Sequence, residues 1–247
     1  MGSIITEKEY EVHYYEVDCN KNALITAIMN YFGDISTYQS EQRNNGLDYM
    51  KDNNIAWVLY KWDISINKFP CYGEKVRVRT IPYSFRRFYA YRKFQILDRY
   101  DNIMVDAISI WFLIDAEKRK PIRIPKNMFT VYGLTEKDNK ILDTPKLIPT
   151  DVTDHEKVFN VRYEDIDTNG HVNNVKYISW IMETVPIEIV TNHRLQRIIV
   201  VYEKETKYGE IVKVKAHIEE GRDEVVCKHK VINEEGQELT IAETFWA

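Results

Sequence analysis

Val161–Asn169 reads VRYEDIDTN, and a near-parallel phrase, VHYYEVDCN, already occupies Val12–Asn20. The two lie over one another without a gap at a spacing of 149 residues, with Val12/Val161, Tyr14/Tyr163, Asp18/Asp167 and Asn20/Asn169 identical. Further along, YGE at Tyr72–Glu74 returns at Tyr208–Glu210. ILDRYDNIMVDAISIW (Ile96–Trp111) then overlays VINEEGQELTIAETFW (Val231–Trp246), sharing Ala107/Ala242 and Trp111/Trp246. Three matched blocks in one order make the chain two copies of a single unit, the second shorter.

Each copy has the same coarse grammar. A short strand comes first, then a helical stretch: ALITAIMNYFGDISTYQSEQ (Ala23–Gln42) in the first, NNVKYISWIMETV in the second, whose helix is expected over Asn173–Val190. Leu24, Ile28, Phe32 and Ile35, and likewise Tyr177, Ile178, Ile181 and Met182, recur at three- and four-residue steps, the period of one helix face. Four strand-like segments follow, separated by turn signals such as Tyr72-Gly73, Asp101-Asn102 and Glu235-Gly236. A helix covering one face of antiparallel strands is an α+β layer unit. The copies are placed at residues 1–133 and 158–247, with the polar, Pro-containing residues 134–157 as a surface linker.

Composition narrows the function classes. With 44% hydrophobic and 29% charged residues, the chain reads as an ordinary soluble globular protein. Its net charge of −4 gives no general attraction to nucleic acid. Cys19, Cys71 and Cys227 are scattered and odd in number, which suits a reducing cytoplasm and neither a disulfide framework nor a zinc site. No apolar run reaches transmembrane length and no signal peptide opens the chain. The start MGSIIT fits the six-residue N-myristoylation pattern and is read as an ordinary opening.

The stretch EDIDTNGHVNN (Glu164–Asn174) offers two chemistries. Asp165, Asp167, Asn169 and Gly170 copy the opening of a calcium loop, yet its twelfth position, where a bidentate Glu is required, holds Lys176. The other reading, Asp-x-Asn-x-His ahead of a helix, is a cluster for acid–base work. His171 supplies a group that exchanges protons near neutrality. On a strand-like lead-in, Asp167 and Asn169 would share one side. Plain turn and cap chemistry is the alternative for both.

These residues resemble the fatty acyl-acyl carrier protein thioesterases, in a bacterial-type form. DTNGHVNNVKYISWIMETVP (Asp167–Pro186) looks like the family's D-x-N-x-H-V-N-N-x-K-Y signature. WFLIDAEKRKPIRIP (Trp111–Pro125) is similar to its Trp-led basic segment, and YEKET (Tyr202–Thr206) to the segment carrying a catalytic Glu. The resemblance implies a double hotdog fold, two tandem units each with a long helix wrapped by an antiparallel sheet. It also implies hydrolysis of fatty acyl-acyl carrier protein to free fatty acid, with no cofactor. Glu205 joins Asp167, Asn169 and His171 as a catalytic candidate on this ground alone. Plant members carry Cys where this chain has Thr206, so a cysteine nucleophile is not expected, and no plastid transit segment is found.

Within that reading, Asn169 holds water or the thioester carbonyl, Asp167 orients a partner, and His171 or Glu205 serves as base. Backbone amides at the start of the second helix are expected to hold the oxyanion. Met29, Phe32 and Ile35 are candidates to line an acyl pocket, or simply core. Between Glu74 and Lys126, thirteen Lys/Arg face six acids in a chain of negative net charge, which suits an acidic carrier protein docking at Arg86, Arg87, Arg119 and Lys120. A solvated basic face is the plainer reading, and a homodimer is one assembly the chain could form. An acyl-CoA thioesterase, a hotdog dehydratase or a non-hydrolytic acyl-binding module are the competing functions.

Overall fold

The computed structural model describes residues 2–247; Met1, the first letter of the myristoylation-type pattern, lies outside them. The first copy runs β1 (Thr6–Glu11), α1 (Ile25–Glu41), α2 (Leu47–Asp52), β2 (Ile55–Ile66), β3 (Lys75–Arg86), β4 (Tyr89–Leu97), β5 (Ile103–Asp115), β6 (Lys120–Pro121) and α3 (Lys126–Val131). The second runs β7 (His155–Asn160), α4 (Asn174–Thr184), α5 (Ile187–Asn192), β8 (Leu195–Tyr202), β9 (Ile211–Glu220), β10 (Val225–Asn233) and β11 (Glu238–Trp246). Two compact units result: one extends to Tyr60 and resumes over Ile66–Asp143, the other takes Lys61–Ser65 with Thr144–Ala247.

Strand order repeats between the copies. The first unit is ordered β1-β3-β4-β5-β2, with β6 on β5, and the second β7-β9-β10-β11-β8. Lys61–Ser65 pair antiparallel with β8 inside the second unit. The end strands keep the spacing found in the sequence: Thr6 and His155, first residues of β1 and β7, stand 149 residues apart. A smaller signature also repeats. Trp111 donates its indole N–H to Ser109 Oγ at 2.7 Å, and Trp246 donates to Thr244 Oγ1 at 2.9 Å.

The cores follow from periodicity. β3 alternates exposed and buried positions over KVRVRTIP, as a strand with one covered face must. On α1, Ile28, Phe32 and Ile35 are wholly buried against the sheet, Phe32 meeting Phe94 with ring centroids 5.0 Å apart. On α4, Tyr177, Ile178 and Ile181 turn inward toward β7, β9 and β10. Leu24 does not belong to its stripe: it is the N-cap of α1 and is exposed.

Three expectations are corrected. Of VFNVRYE, read as one strand leading into the loop, Val158–Asn160 is strand in β7, but the rest is not, because Tyr163–Asp165 forms a single 3-10 turn. The second helix does not reach Val190. It stops at Thr184 because Val185 is extended (φ −67°, ψ 132°) ahead of Pro186, whose ring disfavours a helical residue before it. The last residues of the expected linker, His155–Lys157, belong to β7. That strand carries almost no buried side chain and is held through its ladder to β9, so no apolar pattern announces it.

Candidate active site

The loop Val161–Asn174 is built by its acidic side chains. Val161 is clamped on both sides, its N–H to Glu210 O at 2.9 Å and its carbonyl accepting from Gly209 N–H at 3.2 Å. Asp165, fully buried, accepts the Arg162 N–H at 2.8 Å and its guanidinium at 3.1 Å, with Lys176 Nζ 3.5 Å away. Burial pushes its carboxyl up, but the Arg162 bonds and Lys176 outweigh that and hold it below the usual carboxylate range. The oxygen that would open a calcium loop is therefore saturated by two cations.

Asp167 makes the next turn. Its Oδ1 accepts the amides of Asn169 (2.8 Å) and His171 (3.3 Å), while Asn169 Nδ2 lies 3.3 Å from its Oδ2. Asp167 N–H donates to His171 O at 2.8 Å, and Gly170 sits at φ +79°, a conformation that glycine takes without strain. Asp167 and Asn169 thus meet through a turn rather than by sharing the side of a strand: the short carboxylate captures backbone amides that a strand would need for its ladder. Asp167 makes no side-chain bond to the imidazole; its part here is to shape the loop.

Closure of this turn carries His171 to its partner. Val172 N–H donates to Thr206 O at 3.0 Å, laying the loop beside the segment after β8. His171 Nε2 comes within 3.2 Å of Glu205 Oε2, with side-chain exposures of 17% and 37%. An imidazole and a carboxylate at hydrogen-bond distance, open to solvent yet fixed, can take a proton from water and return it. Thr206 lies beneath, buried, its hydroxyl hydrogen-bonded to the Glu210 carboxylate. Sequence reasoning left Asp165, Thr206 and Glu210 without a structural role.

Helix α4 begins at the site. Asn173 Oδ1 accepts the Val175 N–H at 3.0 Å and Asn173 O the Lys176 N–H at 2.8 Å. That narrows the amides expected to hold an oxyanion to Asn174 N–H. The other histidines do other things. His217 and His13 pair with Asp154 and Glu16, and burial pushes the His229 imidazole down to about 3, keeping it neutral. Met29, Phe32 and Ile35 are buried on α1. Among the described residues no cluster of His, Cys, Asp and Glu is arranged to hold a metal ion.

The first copy reproduces the backbone frame of this loop. Asp18 N–H donates to Asn22 O, Asp18 Oδ1 accepts from Asn20 and Asn22, Leu24 N–H reaches Glu16 O, and Ala23 N–H reaches Pro70 O. Side chains differ where they matter. His171 is replaced by Asn22, whose Oδ1 faces Cys71 Sγ at 3.7 Å, and Glu205 by Phe69.

Comparison with known proteins supplies the context. The acyl-ACP thioesterase N-terminal domain matches residues 4–132, and the acyl-ACP thioesterase C-terminal domain residues 149–247. A chloroplastic acyl-[acyl-carrier-protein] hydrolase of Cuphea viscosissima is 25% identical over 97% of the chain. A dodecanoyl-[acyl-carrier-protein] hydrolase of Cinnamomum camphora is 23% identical over 98%. The chain spans 61% and 68% of the lengths of these two relatives. A Lactobacillus plantarum structure, provisionally named an oleoyl thioesterase, superposes with a TM-score of 0.92 at 26% identity, covering 99% of this chain and 96% of that one. A Bacteroides thetaiotaomicron acyl-ACP thioesterase structure superposes with a TM-score of 0.85 at 22% identity, covering 98% of each chain, a likeness of fold.

Proposed function

The chain belongs to the acyl-ACP thioesterase family, and from that premise we propose that it hydrolyses fatty acyl-acyl carrier protein to free fatty acid and carrier protein. The observation that carries this reading is the His171–Glu205 pair, 3.2 Å apart on a loop fixed by Asp165 and Asp167. Water attacks the thioester carbonyl as the pair takes its proton. Asn169 and the Asn174 N–H hold the oxyanion. Collapse breaks the C–S bond, and the departing thiolate receives the proton, leaving acid and thiol. No cofactor enters this sequence.

The acidic carrier protein is proposed to dock on the basic tips of the first unit. Arg86 and Arg87 sit exposed at the β3–β4 turn, and Arg119 and Lys120 at the β5–β6 turn. The first copy, with Met29, Phe32 and Ile35, is read as accommodating the acyl chain. A cytoplasmic location and a homodimer belong to the same proposal; among the described residues no helix is long and apolar enough to cross a membrane. Product analysis on carrier proteins loaded with chains of graded length is the test. Free acid and thiol are expected; an enoyl thioester, or tight binding without turnover, would overturn it.

A further inference from the structure

Behind the His171–Glu205 pair lies a hydroxyl that this chemistry has not used. Tyr177, on the first turn of α4, is 2% exposed, its ring edge-on to Trp180 at 5.4 Å and Tyr202 at 5.9 Å. Its oxygen is buried and completes no hydrogen bond. The Thr206 backbone amide is directed at it, and Glu205, Glu210 and Asp167 lie near enough to oppose its ionisation. Burial first, then these charges, hold the phenol well above its usual range, so the hydroxyl keeps its proton.

The duplicated loop provides an internal control. The spacing of 149 residues sets Ile28 in the place of Tyr177 and Asn22 in that of His171. The YGE spacing of 136 residues sets Phe69 in the place of Glu205 and Pro70 in that of Thr206. The matching bonds Ala23 N–H to Pro70 O and Val172 N–H to Thr206 O confirm both registers. Where imidazole and carboxylate are missing, the phenol is missing too, and so is the amide that faces it, since proline has none. Ile28 is wholly buried, so an aliphatic side chain satisfies the packing at this position. A buried hydroxyl without a partner costs stability, and such a group persists where it serves the site.

We propose that Tyr177 is a positioning residue of the active site, whose hydroxyl proton steadies the Glu205 carboxylate through one bridging water, in the orientation that holds His171. The inference rests on the hydrolytic reading above. The groups around it are Asp167 from the turn, Tyr202 from β8, and Glu205, Glu210 and the Thr206 amide from the segment that follows, with His171 one step further out on Glu205. A donor to a carboxylate favours its charged form, so removing the donor disfavours that form.

Tyr177→Phe is the test. Loss of one hydrogen bond to a charged group predicts a fall in kcat of roughly ten- to a hundredfold, with KM little changed. The acid limb of the kcat/KM profile moves upward, and so does the Glu205 carboxyl titration followed by carbon-13 NMR. Thermal stability is unchanged or higher, because an unpaired buried hydroxyl is gone. A variant that melts higher while kcat, pH profile and Glu205 titration stay as in the wild type overturns the proposal. Fluorotyrosine at position 177 alone keeps the ring and strengthens the donor, so the Glu205 titration must move down; this variant decides the matter where Tyr177→Phe does not fold. Because the titration needs no turnover, a wild-type protein without hydrolase activity would sink the hydrolytic reading while leaving the role of Tyr177 decidable.

Discussion

Replacing His171 and its first-copy counterpart in parallel separates chemistry from scaffold. His171→Ala removes the imidazole 3.2 Å from Glu205 but keeps the backbone bonds that form the turn, His171 N–H to Asp167 Oδ1 and Asp167 N–H to His171 O. The loop should therefore persist, and the loss should be chemical. Removing a general acid or base lowers kcat by about two to four orders of magnitude, or about 2.7–5.4 kcal/mol of barrier. Asn22→Ala keeps the equivalent backbone bonds and removes only a weak contact to Cys71 at 3.7 Å. Its cost to stability should be under about 1 kcal/mol, and its effect on rate within about twofold. The assay is steady-state fatty acid release from acyl carrier protein at saturating substrate, with thermal melts matched between variants. Asn22→Ala losing as much kcat as His171→Ala would refute the one-site reasoning, and both copies would then have to carry chemistry.

Thiol alkylation should label exposed Cys19 and Cys71 and spare Cys227, whose thiol burial pushes up to about 11, while turnover is largely kept; stoichiometric inactivation mapped to one cysteine would contradict catalysis by water. Charge reversal at Arg86, Arg87, Arg119 and Lys120 should lower kcat/KM for carrier-protein substrates, with the loss shrinking at high salt and short thioester mimics spared. Equal losses on both substrates would remove the docking role. Asp165→Asn should destabilise the fold by roughly 1–3 kcal/mol at pH 7, the range for depriving buried donors of a charged partner. Its folded pKa is depressed, so the stability it contributes is present above the unfolded value near 4 and lost as pH falls through the folded one; the gap between wild type and variant must close in acid. A gap independent of pH would show that packing, not charge, is responsible.

Much of the architecture was legible because its signals are periodic. α1 and α4 carry apolar stripes, β3 alternates, and the repeated blocks transfer any reading of one copy to the other. What escaped was structure without side-chain pattern. β7 is mostly exposed and held largely by its ladder, and α2 and α3 span only six residues each. Glu205 was reachable only through family resemblance, since it stands far along the chain from His171 and one backbone bond, Val172 N–H to Thr206 O, brings them together. The calcium reading of Asp165 was already refused by Lys176 at the twelfth position; what oxygen spacing could not tell was that cations claim the carboxylate itself. Lys176, eleven residues downstream, was read only as a missing ligand, and Arg162, three upstream, was not read at all, yet both pair with Asp165.

The duplicated loop shows why scaffold and chemistry read so differently. Its geometry depends on one aspartate accepting amides two and four residues ahead, on a positive-φ residue between them, and on an anchored valine: Asp18, Lys21 and Val12 in one copy, Asp167, Gly170 and Val161 in the other. None of these contacts needs the side chain at position 22 or 171. A turn so determined by its backbone keeps its shape whichever side chain it displays, so the copy with Asn22 and Phe69 folds as well as the copy with His171 and Glu205. Shape is evidence of ancestry within the chain, and activity must be argued from the displayed groups. By that standard the second loop qualifies, because it sets His171 against Glu205 where the first displays Asn22 and Phe69.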